Sequence, residues 1–298
     1  MDPILKRAFV AGEALIDLIE LEGKVAAHVG GGPANTAKAL ARLGFSSVFV
    51  GGISSDEYGS LIETELLESG VDLSFVNRSK LPTALARAVI GEDGTASYDF
   101  ELEGTSSFAF STSWLPTEFS DVIHVGSVAT VLEPGASELF KWASQSDAVV
   151  VFDPNVRPSI QGDKDLYRAS VEKWISISDV VKLSEDDLNW LYSELEEKVI
   201  GEWLKSGVSL VVVTLGAAGL RAYFEDGVMS VAGAEISLVD TVGAGDTIGA
   251  ILIEGILNHG LSGLRDEKTL REVLNRAVKA AGITCSRAGA NPPWLSEL

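Results

Sequence analysis

The chain has 298 residues, 46% of them hydrophobic, with 43 acidic against 23 basic side chains and a formal net charge of −20. A chain this long and apolar buries a large core, as one large α/β domain or two ordinary ones, which excludes broad disorder. The acidity argues against nucleic acid or an anionic membrane surface as the main partner. Apolar runs such as Val149–Phe152 and Leu210–Val213 fall far short of the roughly 20 residues that cross a bilayer. The start, Met1-Asp2-Pro3-Ile4-Leu5-Lys6-Arg7, lacks the apolar core of a signal peptide. Cys285 is the only cysteine, so no intrachain disulfide forms and a reduced, cytoplasmic setting is expected.

Strand and helix signals alternate along most of the chain. Ala8 to Gly12 reads as a buried strand, and apolar spacing from Asn35 to Leu43 predicts a helix stopped by Gly44. A strand over Ser47–Gly51 and a helix from about Asp56 to Ser69 follow. Later pairs are Val122–Val125 with Ala136–Ser144, and Ala148–Phe152 with about Asp163–Ile177; Leu210–Thr214 is another strand. Helices close the chain at about Thr247–Asn258 and Glu267–Cys285. This alternation implies βαβ units around a mainly parallel sheet. Thr83 to Glu103 breaks it by alternating at period two around Glu92-Asp93-Gly94, a hairpin signal. That hairpin is either an edge of the main sheet or, with the strand-like stretch Ala14 to Val29, a small separate sheet covering a site. No repeat or linker divides the chain, so one domain spanning 1–298 is expected, with the covering segments at about 14–29 and 83–103.

Two glycine-rich segments carry chemistry. In Asp240-Thr241-Val242-Gly243-Ala244-Gly245-Asp246-Thr247 a strand ends, small residues follow and a helix begins. Small residues let backbone amides approach an anion, the helix start adds partial positive charge, and an acid there is placed to accept a proton. A plain helix N-cap by Asp246 reads equally from those residues. In Gly30-Gly31-Gly32-Pro33-Ala34-Asn35 the glycines permit close approach of a ligand, with Asn35 either binding it or capping the helix. Neither a P-loop nor a dinucleotide fingerprint is present, which counts against a nicotinamide-dependent dehydrogenase.

Together, in this order, the segments resemble the ribokinase-like (PfkB) carbohydrate kinases. The resemblance spans nearly the whole chain: GEALIDL (12–18), GGGPANTAKALARLG (30–44), FDPNVRP (152–158), VKLSEDDL (181–188), VVVTLGAAG (211–219) and DTVGAGD (240–246). It implies a three-layer α/β/α fold with a β-lid, ATP and Mg²⁺, and phosphoryl transfer to a sugar hydroxyl. By motif match, Asp246 is the base and Gly243, Ala244 and Gly245 form the anion hole. Asp17, Gly31, Gly32 and Asn35 hold sugar hydroxyls, and Tyr98 and Phe100 sit on the lid, facing sugar, solvent or a partner lid in a homodimer. Asn155 and Arg157 lie just past a strand end, where open α/β sheets place ligands, and Arg157 faces phosphate or sugar. Lys182 is expected to follow the next strand. Lys182, Thr214, Gly216 and Gly219 match nucleotide-contacting positions, while Asn275, Ala280 and Gly289 fall in the region resembling an adenine pocket. The family's metal-associated Asn-x-x-Glu is here Ser184-Glu185-Asp186-Asp187, so Asp187, or Glu185 in its place, is the expected Mg²⁺-linked acid. Asp240 matches a loop that binds a monovalent cation such as K⁺. GGGPAN and FDPNVRP look more like fructokinases than ribokinases, which makes fructose the expected acceptor and 2-keto-3-deoxygluconate the alternative. An inactive sugar-binding regulator would lack the base or the anion hole, and both are present. For so acidic a chain to bind ATP, positive potential has to be local: metal, helix start, Arg157 and Lys182.

Overall fold

Strand β1 (Arg7–Ala11) shows how the middle layer forms. Ala8, Phe9, Val10 and Ala11 are all fully buried, alternate residues packing into clusters on opposite faces, as a strand covered on both sides requires. The computed structural model describes residues 6–21, 24–90, 96–118 and 120–298. Within them β1 pairs in parallel with β4 (Ser46–Ser54) and β8 (Val122–Gly126). The parallel run continues through β5 (Asp72–Ser79) on one side and β9 (Val149–Asp153), β10 (Val180–Ser184) and β11 (Leu210–Thr214) on the other. An antiparallel hairpin, β12 (Leu220–Phe224) and β13 (Gly227–Val231), completes the order β13-β12-β11-β10-β9-β8-β1-β4-β5.

Helices cover both faces. On one side α3 (Gly135–Ala143), α4 (Lys164–Ile175), α5 (Glu185–Leu191) and α6 (Glu196–Ser206) insert Trp142, Trp174, Leu188 and Trp203. On the other, α1 (Gly32–Arg42), α7 (Ala244–Gly263) and α8 (Glu267–Cys285) pack Leu40, Ile251 and Leu274 against the sheet. Helix α2 (Glu57–Glu68) seats Ile62 and Leu66 beside Phe49 and Ile53. This is the three-layer α/β/α arrangement that the resemblance implied. The sequence reading passed over β5, α5, α6 and the β12–β13 hairpin.

The period-two stretches build a second sheet, in the order β3-β2-β6-β7, rather than an edge of the first. Strands β2 (Leu15–Leu21) and β3 (Lys24–Gly30) are antiparallel, β6 (Leu85–Ile90) joins β2 in parallel, and β7 (Ala96–Glu101) pairs antiparallel with β6. The expected turn at Glu92-Asp93-Gly94 lies outside the described residues. Period two divides β2 cleanly: Ile16 and Leu18 enter the core beside α2, whereas Leu15, Asp17 and Ile19 line a cavity. The small sheet is thereby anchored by one face and presents the other to a ligand.

Helix α1 carries a site residue on a buried body, so its packing sets that residue's place. Leu40 has no exposed surface. Leu40→Ala is expected to cost about 2–5 kcal/mol, read as a lowered midpoint in urea unfolding.

Candidate active site

The strand ends of the parallel sheet, the starts of α1 and α7 and the inner face of the small sheet enclose a cavity of about 630 Å³. Its lining includes Glu13, Asp17, Gly31, Gly32, Asn35 and Phe100 from the N-terminal third, and Asn155, Arg157, Lys182, Gly243, Gly245, Asp246 and Gly289 from the remainder. Ligands in open α/β sheets sit at this end of the strands.

Asp246 is the third residue of α7, 8% exposed. The N-cap is Gly243, and no side chain caps the helix, so the N-cap alternative for Asp246 does not hold. The Asn35 Nδ2 amide donates to Asp246 Oδ2 at 2.9 Å. Asn35 is likewise inside its helix, whose N-cap is Gly31 without a side-chain cap. Burial pushes the Asp246 carboxyl up to about 6, against the pull of the Lys182 ammonium. The first-turn amides of α7 precede the helix's own hydrogen-bond ladder and carry the positive end of its dipole, and Gly243 and Gly245 beside them line the cavity. The Ala244 amide donates to Thr241 O at 3.3 Å.

The glycine run serves as clearance. Gly31 has φ 101, a left-handed value that favours glycine. A Cβ on Gly30 would stand 2.1 Å from Asp17 Oδ2, and one on Gly32 would stand 3.0 Å from Asn155 Nδ2 and 3.3 Å from Asp246 Oδ1. Burial raises the Asp17 carboxyl to about 6, against the charges of His28 and Arg157. His28 is the cross-strand partner of Asp17. Arg157 is exposed toward the cavity, its Nη1 donating to the carbonyls of Asn155 and Val156. Phe100 is on β7 and lines the cavity. Tyr98 is on β7 opposite Ala88, and its side chain lies outside the described residues.

Several expected roles change. Lys182 does not follow a strand: it lies inside β10, and its Nζ is 2.6 Å from Asp153 Oδ2. Glu185 points away and pairs with Arg221 at 2.8 Å, so it does not replace Asp187. Asp187 is a brace: Oδ2 accepts the Ser184 amide and Oδ1 accepts the Val156 amide, at 3.0 and 2.9 Å. Asp240 is another, accepting the amides of Val242 and Gly289 at 3.0 and 2.8 Å. Among the described residues no group of three or more His, Cys, Asp or Glu side chains is placed to hold a metal. Thr214 ends β11, and Gly216 and Gly219 belong to the turn that follows, all three outside the cavity lining. Gly219 is needed there by packing, since a Cβ would stand 2.1 Å from Val231 O. Ala280 is fully buried in the core and Asn275 is exposed on α8, so these two do not form one pocket wall.

Residues not singled out from sequence also meet here. Glu13, 1% exposed, accepts the Ala129 amide at 3.1 Å, and burial lifts its carboxyl against a hydrogen bond from Ser127. Ser127 itself has φ 57. Glu13 sits within the quoted GEALIDL, whereas Ser127 has no sequence signal beyond its place after β8. Past α8, Ala290 packs on Gly243, where a Cβ would come within 2.7 Å. Arg42 of α1 holds that segment by donating to Asn291 Oδ1 at 2.7 Å and Pro292 O at 2.8 Å.

Residues 5–297 match the pfkB family of carbohydrate kinases. A fructokinase of Rhizobium leguminosarum bv. trifolii is 33% identical over 272 residues, 88% of this chain and 83% of its own. The structure of a Xylella fastidiosa fructokinase with bound ATP superposes with a TM-score of 0.91 at 25% identity, covering 99% of this chain and 95% of that one. A Vibrio cholerae O395 fructokinase holding fructose, ADP and calcium gives 0.85 at 26% identity, covering 96% and 94%.

Because Asp17 is raised to about 6 from 3.8, the folded chain holds more protons than the unfolded chain between those values, and stability falls as pH rises through that window. Asp17→Asn removes the penalty. The free variant is expected to melt above wild type at pH 7, the gap closing as pH falls toward 3.8, while its KM for sugar rises. Gly30→Ala, which pushes on the same carboxylate, is expected to raise KM more than it lowers kcat in steady-state assays.

Proposed function

Because the chain belongs to the pfkB family of carbohydrate kinases, we propose that it transfers the γ-phosphoryl group of ATP to a hydroxyl of fructose. The observation that carries this reading is the Asn35–Asp246 hydrogen bond, which joins the sugar-side glycine loop to the helix start suited to phosphate. The relatives are named for fructose, and one solved neighbour holds it. A neutral ketose also suits a wall carrying Glu13 and Asp17 better than the carboxylate of 2-keto-3-deoxygluconate.

Asp17, the glycine loop, Asn35, Asn155 and Arg157 hold the sugar, with Phe100 and the small sheet closing over it and excluding water. Asp246 takes the proton from the attacking hydroxyl. The sugar oxygen bonds to the γ-phosphorus, the bond to the β–γ bridging oxygen breaks, and ADP leaves while the proton on Asp246 returns to water. Amides of Gly243 and Gly245 receive the equatorial oxygens, while that of Ala244 is held by Thr241 O, in line with a transfer that needs positioning and charge stabilisation. ATP lies over the ends of β10 and β11, where Thr214 and Gly216 meet it, with Gly289 at the cavity rim. Mg²⁺ carried on the ATP phosphates would supply charge neutralisation there. K⁺ beside Asp240 would reinforce a tie between the 240 and 289 loops that the carboxylate already makes. Exchange of K⁺ for Na⁺ is thus expected to raise KM for ATP rather than to abolish turnover. Among the described residues, exposed Val25 of β3, on the face turned away from the cavity, is an apolar residue that a lid-to-lid homodimer would cover.

ADP release over a panel of fructose, ribose and 2-keto-3-deoxygluconate tests the reading, with fructose expected to give the highest kcat/KM. Asp246→Asn is expected to fold and to lose about 10²–10⁴-fold in kcat, the range of a general base; near-normal turnover would remove Asp246 from that role. Since the base works deprotonated, wild-type kcat/KM is expected to fall as pH drops through about 6.

A further inference from the structure

Among the described residues, Lys182 and Asp153 are the ion pair in which both side chains are nearly sealed, at 6% and 5% exposure. The pair bridges β10 and β9 directly beneath the start of α7. A Cβ on Gly245 would stand 2.9 Å from Lys182 Nζ, so the ammonium occupies the space under the first helical turn. The lysine is fixed in place by its strand, by Asp153 and by the roof of α7. It does not need a bound nucleotide to hold it there.

The charges facing Asp246 come from every element around it. Helix α1 supplies the Asn35 amide and Lys38, β10 supplies Lys182, and β9 with its following loop supplies Asp153 and Arg157. Asp187 of α5 acts on Lys182 in turn, and His124 of β8, driven down to about 3 by burial and by Lys182, stays neutral. Burial disfavours the Lys182 ammonium, yet Asp153 and Asp246 outweigh it and hold it above its ordinary value. A buried carboxylate without such a neighbour would take up a proton and could not accept one from a sugar.

We propose that Lys182 is a positioning residue, pinned by Asp153 beneath the first turn of α7, whose ammonium keeps Asp246 ionised in the free enzyme before nucleotide arrives. Asp153 has the opposite influence on Asp246, so the two partners carry opposite signatures. This rests on Asp246 being the base. The test is the pH dependence of kcat/KM for the sugar in wild type, Lys182→Met, Asp153→Asn and Asp246→Asn.

Removing the ammonium raises the Asp246 pKa, so the acid limb of Lys182→Met is expected at higher pH by about one unit or more, with lost turnover regained in alkali. Removing the Asp153 charge is expected to move the limb to lower pH. A structural role alone would not displace the limbs in opposite directions. Limbs that coincide with wild type, or that move together, overturn the proposal. Should Lys182→Met fail to fold by circular dichroism, Lys182→Gln takes its place: an acid limb that coincides with wild type overturns the proposal. An active Asp246→Asn removes the base itself. An inactive one beside unmoved limbs removes only the role given to Lys182.

Discussion

The hydrogen bond between Asn35 and Asp246 joins side chains 211 residues apart, and the placement of both glycine-rich loops depends on it. It holds a carboxylate at the start of a helix whose next eleven residues, Thr247 to Leu257, are all buried. Such a charge is costly to desolvate, and three features of the surroundings offset the cost: the Asn35 amide, the helix dipole and the buried Lys182. Each demands space. Gly32 and Gly245 stand where any side chain would meet Asp246, Asn155 or Lys182. The glycines thus follow from the buried acid as much as from any ligand.

Around this centre a chain of net charge −20 spends its acids in different ways. Asp187 and Asp240 stand where the resemblance implied metal-associated residues, and each accepts two backbone amides and ties one loop to another. A carboxylate beside a tight turn finds free amides more readily than it finds an ion. Glu185 goes to Arg221 on the antiparallel hairpin. Asp17 and Asp246, like Glu13 in the same cavity wall, are lifted by burial. They make the free site less stable near neutrality than a neutral one would be, a familiar cost of a site built for binding.

Much of the fold was legible because its signals are local. Strands buried on both faces read as short apolar runs, and helices read through their spacing. The β5 edge strand, DLSFVNRS, was not legible because exposed and half-buried positions dilute its pattern. The small sheet was legible through period two, and its separation from the main sheet, a matter of pairing partners, was implied by the resemblance. At the site, Asp17, Gly31, Asn35, Arg157 and Asp246 were found by motif, and the structure gathers them around one cavity. Ser127 and Ala290 were not found, since each takes part only through what the fold lays against it. Lys182 was found for its charge but misplaced, because a lysine inside a strand reads as a strand end until its buried partner, Asp153, is seen.

The order in which the pieces occur along the chain has a bearing on synthesis. Asp17, Gly31 and Asn35 lie near its start, whereas Asp246 and the Gly289–Ala290 loop that Arg42 fastens belong to its last fifth. Synthesis from the N-terminus therefore supplies the Asp17, Gly31 and Asn35 side of the cavity long before Asp246, the hydrogen-bond partner of Asn35. A chain that stops before residue 240 carries only part of the cavity lining and lacks the acid that Asn35 holds.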